Sequence, residues 1–179
     1  MFKYITILEE FFPSSFRAGF QAERPDSNWF LEQWIPFDIT NMAVKNKKHF
    51  DKFLDFKLGR SGNWRNAPND WSIYHPDRSD YQKKGDNKRW IGRALNPLNR
   101  IAPLTQEEVD RAFQKSNDEN KPVLMGLASH DWRDIRHEIK YSYKLILNAK
   151  KKFPKVNFSF QTVTNGFRET LYKKNDIKK

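Results

Sequence analysis

The run Pro122-Val-Leu-Met-Gly-Leu-Ala128 constrains the fold of this chain more than any other segment. An unbroken apolar stretch between polar flanks reads as a strand buried on both faces, which occurs in parallel sheets covered by helices. Downstream, Ile135, Ile139, Tyr143, Ile146, Ala149 and Phe153 trace one stripe of a helix spanning Arg133 to Lys152, which Pro154 stops. A buried strand feeding an amphipathic helix is the repeating unit of an α/β fold.

The amino-terminal part shows the same alternation. Apolar residues at Phe2, Ile5, Leu8 and Phe11 or Phe12 predict a helix ended by Pro13. Ser15–Phe20 reads as a strand. Asp26 or Ser27 caps a short helix through Trp34, with Trp29, Phe30 and Leu31 facing inward, and Ile35–Thr40 reads as a second strand. His49–Leu58 permits a short helix. From Gly59 to Pro103 the chain is rich in Gly, Asn, Pro and Asp, with Trp64, Trp71 and Trp90 among them, and Ser72–His75 and Arg89–Leu95 suit the strands of an inserted hairpin. A long connection of this kind is usually functional. Regular structure resumes at Thr105-Gln-Glu-Glu108, a capping box opening a helix to about Lys115. Val156–Val163 alternates like a strand, and Phe167 and Leu171 suit a final short helix. The expectation is one α/β domain over 1–172, with a mainly parallel sheet, flanking helices and an irregular aromatic-rich insertion at 59–104; a basic tail occupies 173–179.

Composition narrows the function classes. Aromatic residues make up 15% of the 179, which argues for a packed core. The absence of cysteine excludes disulfides and thiolate chemistry. No run approaches a membrane span, and the first ten residues lack the apolar core and cleavage site of a signal peptide, so a cytoplasmic location is expected. The net charge of +11 (33 Lys and Arg less 22 Asp and Glu) lies largely in lysine runs that favour solubility. It also keeps an anionic polymer, an acidic glycan or nucleic acid, as an alternative partner. Gly-x-Gly-x-x-Gly, the Walker loop and the Gly-x-Ser-x-Gly elbow are all missing.

Two segments carry groups suited to chemistry. In Gly126-Leu-Ala-Ser-His-Asp-Trp-Arg-Asp134, His130 stands where a strand ends and a helix begins, and Asp131 or Asp134 can set its tautomer. In Ser15-Phe-Arg-Ala-Gly-Phe20, Arg17 needs a carboxylate partner, Asp131 for instance, or an anion to hold. His130, Asp134 and His137 form a metal-compatible stripe only if the helix begins early. Trp71, Tyr74 and Tyr81 surround His75 with flat faces on which a sugar ring or base can stack, and core packing is the competing use.

These two segments resemble the later half of a polysaccharide deacetylase domain, the carbohydrate esterase with a distorted (β/α) barrel. The Arg17 strand is similar to the family's strand bearing a groove-lining arginine, and Gly126–His130 is similar to its late strand ending in the catalytic histidine. The likeness covers about two thirds of the chain, in order. It implies a partial barrel, hydrolysis of N- or O-acetyl groups on a polysaccharide, Arg17 orienting the catalytic base, and His130, with Asp131, protonating the departing amine. It places Trp71, Tyr74, His75 and Arg133 against the substrate. A divalent metal is also implied, but the Asp-Asp pair and His-x-x-x-His that hold it in the family occur nowhere in this chain. No metal-binding residue is therefore assigned, and a second chain completing the barrel is an expected partner, nucleic acid a lesser one.

Overall fold

The structure, a computed structural model, describes residues 13–99, 101–130 and 132–172. The helix expected at 2–11, Asp131 and the basic tail lie outside them. The described chain runs β1 (Ser15–Phe16), α1 (Pro25–Leu31), β2 (Phe37–Asn41), α2 (Leu54–Lys57), β3 (Trp90–Leu95), α3 (Gln106–Glu119), β4 (Gly126–Leu127), α4 (Arg136–Lys152) and α5 (Val163–Tyr172). Short 3-10 turns occupy Gly19–Gln21 and Lys47–Lys52. The four strands lie in the order β1-β2-β3-β4, all parallel, curled into a half-barrel with helices on its flanks.

Strand alternation sorts the side chains. Phe37 and Ile39 of β2 join Ala94 of β3 and Phe167 of α5 in a small cluster, with the Phe37 and Phe167 rings stacked 4.8 Å apart. Gly92 belongs to this face, because a Cβ there would sit 2.7 Å from the Phe167 ring. The opposite face of β3 presents Ile91 and Leu95 to the larger core, which holds Trp64, Trp71 and Tyr74 of the insertion together with Val109 and Phe113 of α3 and Leu145 and Ile146 of α4. The intervening β2 residues, Asp38 and Thr40, are polar and buried. A strand with one apolar and one polar buried face is the local departure that marks the site described below.

Several expectations change, among them the strand read at Ser15–Phe20, which ends at Phe16, and the helix stripe, exposed at Ile135, Ile139 and Tyr143. Arg89–Leu95 is no insert hairpin: Trp90–Leu95 is β3, in the parallel sheet, so the irregular insertion ends near residue 89. Ser72–His75 is not a strand, although Tyr74 makes one antiparallel bridge to Ile91. Val156–Val163 alternates in sequence but forms no strand: residues 156–162 carry no regular structure and Val163 opens α5, while Phe158 and Phe160 meet Tyr143 of α4. The run 122–128 yields only a two-residue edge strand with Leu127 39% exposed, because no strand pairs beyond β4 among the described residues. Finally, α1 turns Trp29 and Phe30 outward and buries Asn28, whose amide has partners beneath it.

The insertion is bound to the sheet by polar contacts as well as aromatic packing. Gly62 N–H donates to Phe20 C=O at 3.0 Å and Trp64 Nε1 to Gln21 C=O at 2.9 Å, so the insertion seats on the turn that follows β1. At Gly62 a Cβ would lie 1.6 Å from the Gln21 carbonyl oxygen, an approach only glycine permits.

Candidate functional site at the carboxyl rim

Parallel strands deliver their last residues to one rim, where α/β proteins assemble their sites. Arg17 follows β1 directly, and His130 lies three residues beyond β4, so both stand at the carboxyl rim on the two edge strands. Between them lie β2 and β3.

The densest chemistry gathers on the β1–β2 side. Phe16 is in register with Asp38, and Asp38 with Ile91. Asp38 Oδ1 accepts the Thr40 N–H at 2.6 Å, and past this point the register shifts so that Asn41 faces Arg93. Such an irregularity re-aims side chains at a sheet end. Here Thr40 Oγ1 accepts from the Ala18 N–H at 3.0 Å and lies 3.4 Å from Glu23 Oε1, to which it donates. Asn28 Nδ2 donates to Glu23 Oε2 at 3.0 Å, while its Oδ1 accepts from Arg89 Nη1 at 3.3 Å. Arg89 Nη2 sits 2.5 Å from Asp38 Oδ2, with both side chains fully buried. That contact lies off the hydrogen-bonding direction, so the two atoms are paired by charge without a hydrogen bond. Phe16 covers the guanidinium, its ring centre 5.0 Å from Cζ.

This cluster holds two arginines, two carboxyl groups and unmet bonding capacity. Among the described residues, Arg17 Nε and Arg89 Nε are buried without partners. Arg17 Nη2 and Nη1 are met by Gln21 when its amide oxygen faces them, at 2.8 and 3.3 Å. Burial lowers the Arg17 guanidinium from its ordinary value, and the Asp38 charge opposes that shift. Burial pushes Glu23 up to about 8; the charge of Asp38 adds to this and Arg89 works against it. Near neutrality Glu23 is therefore a buried carboxylic acid, able to hold or give a proton. Burial and the Asp38 charge also raise the Tyr74 hydroxyl, which donates to Tyr81 C=O at 2.8 Å above the cluster.

The β4 side is open. His130 is exposed and tilts against Trp132, their ring centres 5.3 Å apart. Trp132 is 74% exposed, the most open large apolar side chain described. Arg133 lies over that ring at 5.6 Å and pairs through Nη2 with Glu138 at 2.6 Å; Glu138 also accepts from Ser129 Oγ at 3.4 Å. Arg133 thus braces the segment after β4, and most of the indole surface stays exposed between Arg133 and His130.

The aromatic trio packs beside the rim cluster and is largely buried. Trp71 is 2% exposed, with Arg93 over one face at 4.2 Å and its Nε1 donating to Glu108 C=O, and Tyr74 is equally buried, so neither offers a stacking face. His75 is half-buried, its Nδ1 3.0 Å from Arg89 C=O and its ring 3.5 Å from that of Trp90. Sequence reasoning missed Glu23, Asp38, Arg89 and Trp132. A buried-looking Phe-Asp-Ile-Thr stretch and a tryptophan inside Ser-His-Asp-Trp-Arg were the available signals.

The divalent metal that the resemblance implies does not fit these residues. No three His, Asp or Glu side chains converge as donors among the described residues. Helix α4 starts at Arg136, so His130, Asp134 and His137 do not share a stripe, and both Asp134 oxygens are taken by Arg136 at 2.8–3.0 Å. Compared with protein-family models, with curated proteins and with solved structures, the chain matches none.

Proposed function

We propose that this chain is the later half of a polysaccharide-deacetylase-like barrel, a carbohydrate-active domain for removing N- or O-acetyl groups from a polysaccharide. The supporting observation is the shared rim: Arg17 beyond β1 and His130 beyond β4 occupy the same end of a curled parallel sheet, with the exposed Trp132 beside the imidazole. In this reading Trp132 stacks against a sugar ring and His130 gives its proton to the departing amine or alcohol as the acyl C–N or C–O bond breaks. Arg17 positions the base that activates water, and the base and metal ligands come from a segment or second chain completing the barrel. The test is acetate release from an acetylated polysaccharide by the protein produced together with its flanking coding sequence. His130→Ala is expected to lower release by about two orders of magnitude. Equal release by wild type and variant, or none from either, would overturn the proposal.

A second reading, a non-catalytic holder of an anionic polymer, draws on the lysines of the insertion. It differs in that binding survives His130→Ala and falls steeply with salt.

A further inference from the structure

The outer side of α4 carries an apolar stripe left open to solvent. The spacing of Ile139, Tyr143 and Leu147 puts three large exposed side chains on one face, over about 12 Å of helix. The chain after α4 adds to it: the Tyr143 ring lies 6.4 Å from Phe158 and 6.3 Å from Phe160, and those two rings are 5.9 Å apart. Ile139 is 58% exposed and Phe160 65%. Single exposed apolar side chains are ordinary, but a cluster of this kind marks a surface that meets something other than water.

Charge is arranged beside the stripe. Lys140 follows Ile139 and Lys144 follows Tyr143, each one position on, and Lys151 continues their line two turns later. All three, and Lys155 after the helix, are exposed, and none has a carboxylate partner among the described residues. Glu138, the only acid of α4, is buried and paired with Arg133 at 2.6 Å. The outer side of α4 is therefore apolar along one line and cationic along the next.

This arrangement selects among occupants. A second copy of the chain would set lysines against lysines in a protein of net charge +11. Nucleic acid would meet the lysines but leave Ile139, Leu147 and Phe160 without a match, because its backbone is held by charge. A partner helix docks into a groove, whereas the outward side of α4 is a ridge. A bilayer with anionic headgroups matches both lines at once. Rings and aliphatic side chains enter the boundary of the acyl region, while lysines on flexible stems reach the headgroup charges.

We infer that the outer side of α4, with Phe158 and Phe160, is a docking face for an anionic lipid bilayer. The protein would lie on the membrane surface; among the described residues no helix is long and apolar enough to cross it. The inference uses neither Arg17 nor His130 and stands apart from the carbohydrate reading.

The test is co-sedimentation of the full chain with phosphatidylcholine vesicles, with and without phosphatidylserine. Ile139→Ser/Phe160→Ser removes the two most exposed side chains of the ridge and changes no charge; circular dichroism checks its fold. Wild type is expected to sediment with the phosphatidylserine vesicles and to stay in solution with phosphatidylcholine alone. The serine variant should bind the anionic vesicles on the order of tenfold or more weakly. Lys140→Ala/Lys144→Ala should weaken binding roughly fivefold per lysine removed. Equal binding by wild type and the serine variant would reduce the effect to net charge and overturn the inference. Binding that ignores the two lysines, or no vesicle binding by wild type, would overturn it as well, the latter leaving the ridge to an acidic protein partner.

Discussion

Arg89 and Arg93 stand four residues apart, both fully buried beside or within β3, yet they are held in opposite ways. Arg93 donates through Nε to Ala43 C=O at 2.6 Å and through Nη1 to Glu108 at 2.8 Å, and it lies over the Trp71 ring. Its acid is doubly served, because Arg111 Nη1 reaches both Glu108 oxygens at 3.1 Å. Arg89 makes one long bond to Asn28 and one charge contact to Asp38, with Nε and Nη2 lacking hydrogen bonds. Its acid is crowded by a second carboxyl group, Glu23. The first network is redundant in charge and ties the insertion to α3, although Arg93 Nη2 is itself buried without a hydrogen bond; the second lacks partners at two guanidinium nitrogens and lies at the rim. Unmet donors and a proton held on a buried acid are what a ligand or a reaction can use, and the rim cluster has more of both.

The largest expected effect comes from removing the poorly served arginine. Arg89→Met leaves Asp38 as a buried carboxylate with no ion-pair partner except the more distant Arg17. The expected loss is about 3–5 kcal/mol, the usual cost of stranding one member of a buried pair. Urea denaturation near pH 7 measures it. Arg89→Met/Asp38→Asn should recover much of that loss, because no charge is then stranded. If the single variant is as stable as wild type, the rim pair is not the strained one and the comparison fails.

Arg93→Met should cost less, about 2–3 kcal/mol, even though it breaks more hydrogen bonds. Glu108 keeps Arg111, so the loss is the unmet Ala43 carbonyl and the cation over Trp71. The same denaturation series checks the order of the two arginine variants. A larger loss for Arg93 would show that hydrogen-bond number, not redundancy of charge, governs stability here.

The two networks were not equally legible in the sequence. The Arg93 side announced itself in part: the Thr105 capping box opens α3, with Thr105 Oγ1 accepting from the Glu108 N–H at 3.3 Å, whereas Trp71 read as a stacking face for substrate with packing only as the competing use. The rim side did not, because Glu23, Asp38 and Arg89 lie far apart along the chain and meet only when β1, β2 and β3 pair. A helix stripe or a cap is a local pattern, but a buried ion cluster is a product of register. Arg17 stands out because an arginine within an apolar strand needs a partner; that the charge acting on it is Asp38 depends on the pairing of Phe16 with Asp38. Parallel order was readable from βα alternation. The lengths of the strands were not, since Gly126–Leu127 is cut short at an open edge despite a longer apolar run.

The finest test of the contrast is the proton on Glu23. Its folded value, about 8, lies above the roughly 4.3 expected of an unfolded glutamate, so the native state holds the proton more tightly. The unfolded state then binds fewer protons between those two values, and stability falls as pH rises through that window. Wild type should lose on the order of 1 kcal/mol per pH unit from this group between about pH 5 and pH 8, with the loss levelling off above. Glu23→Gln, which mimics the protonated side chain, should leave stability at pH 6 within about 1 kcal/mol and flatten this part of the slope. Wild type and variant should therefore diverge with pH, the variant becoming the more stable by pH 8.5. Thermal unfolding at half-unit steps from pH 5 to 8.5 measures the divergence. Parallel curves would mean that Arg89 holds Glu23 as a carboxylate in spite of burial and the Asp38 charge, leaving the rim cluster as settled as the one around Arg93.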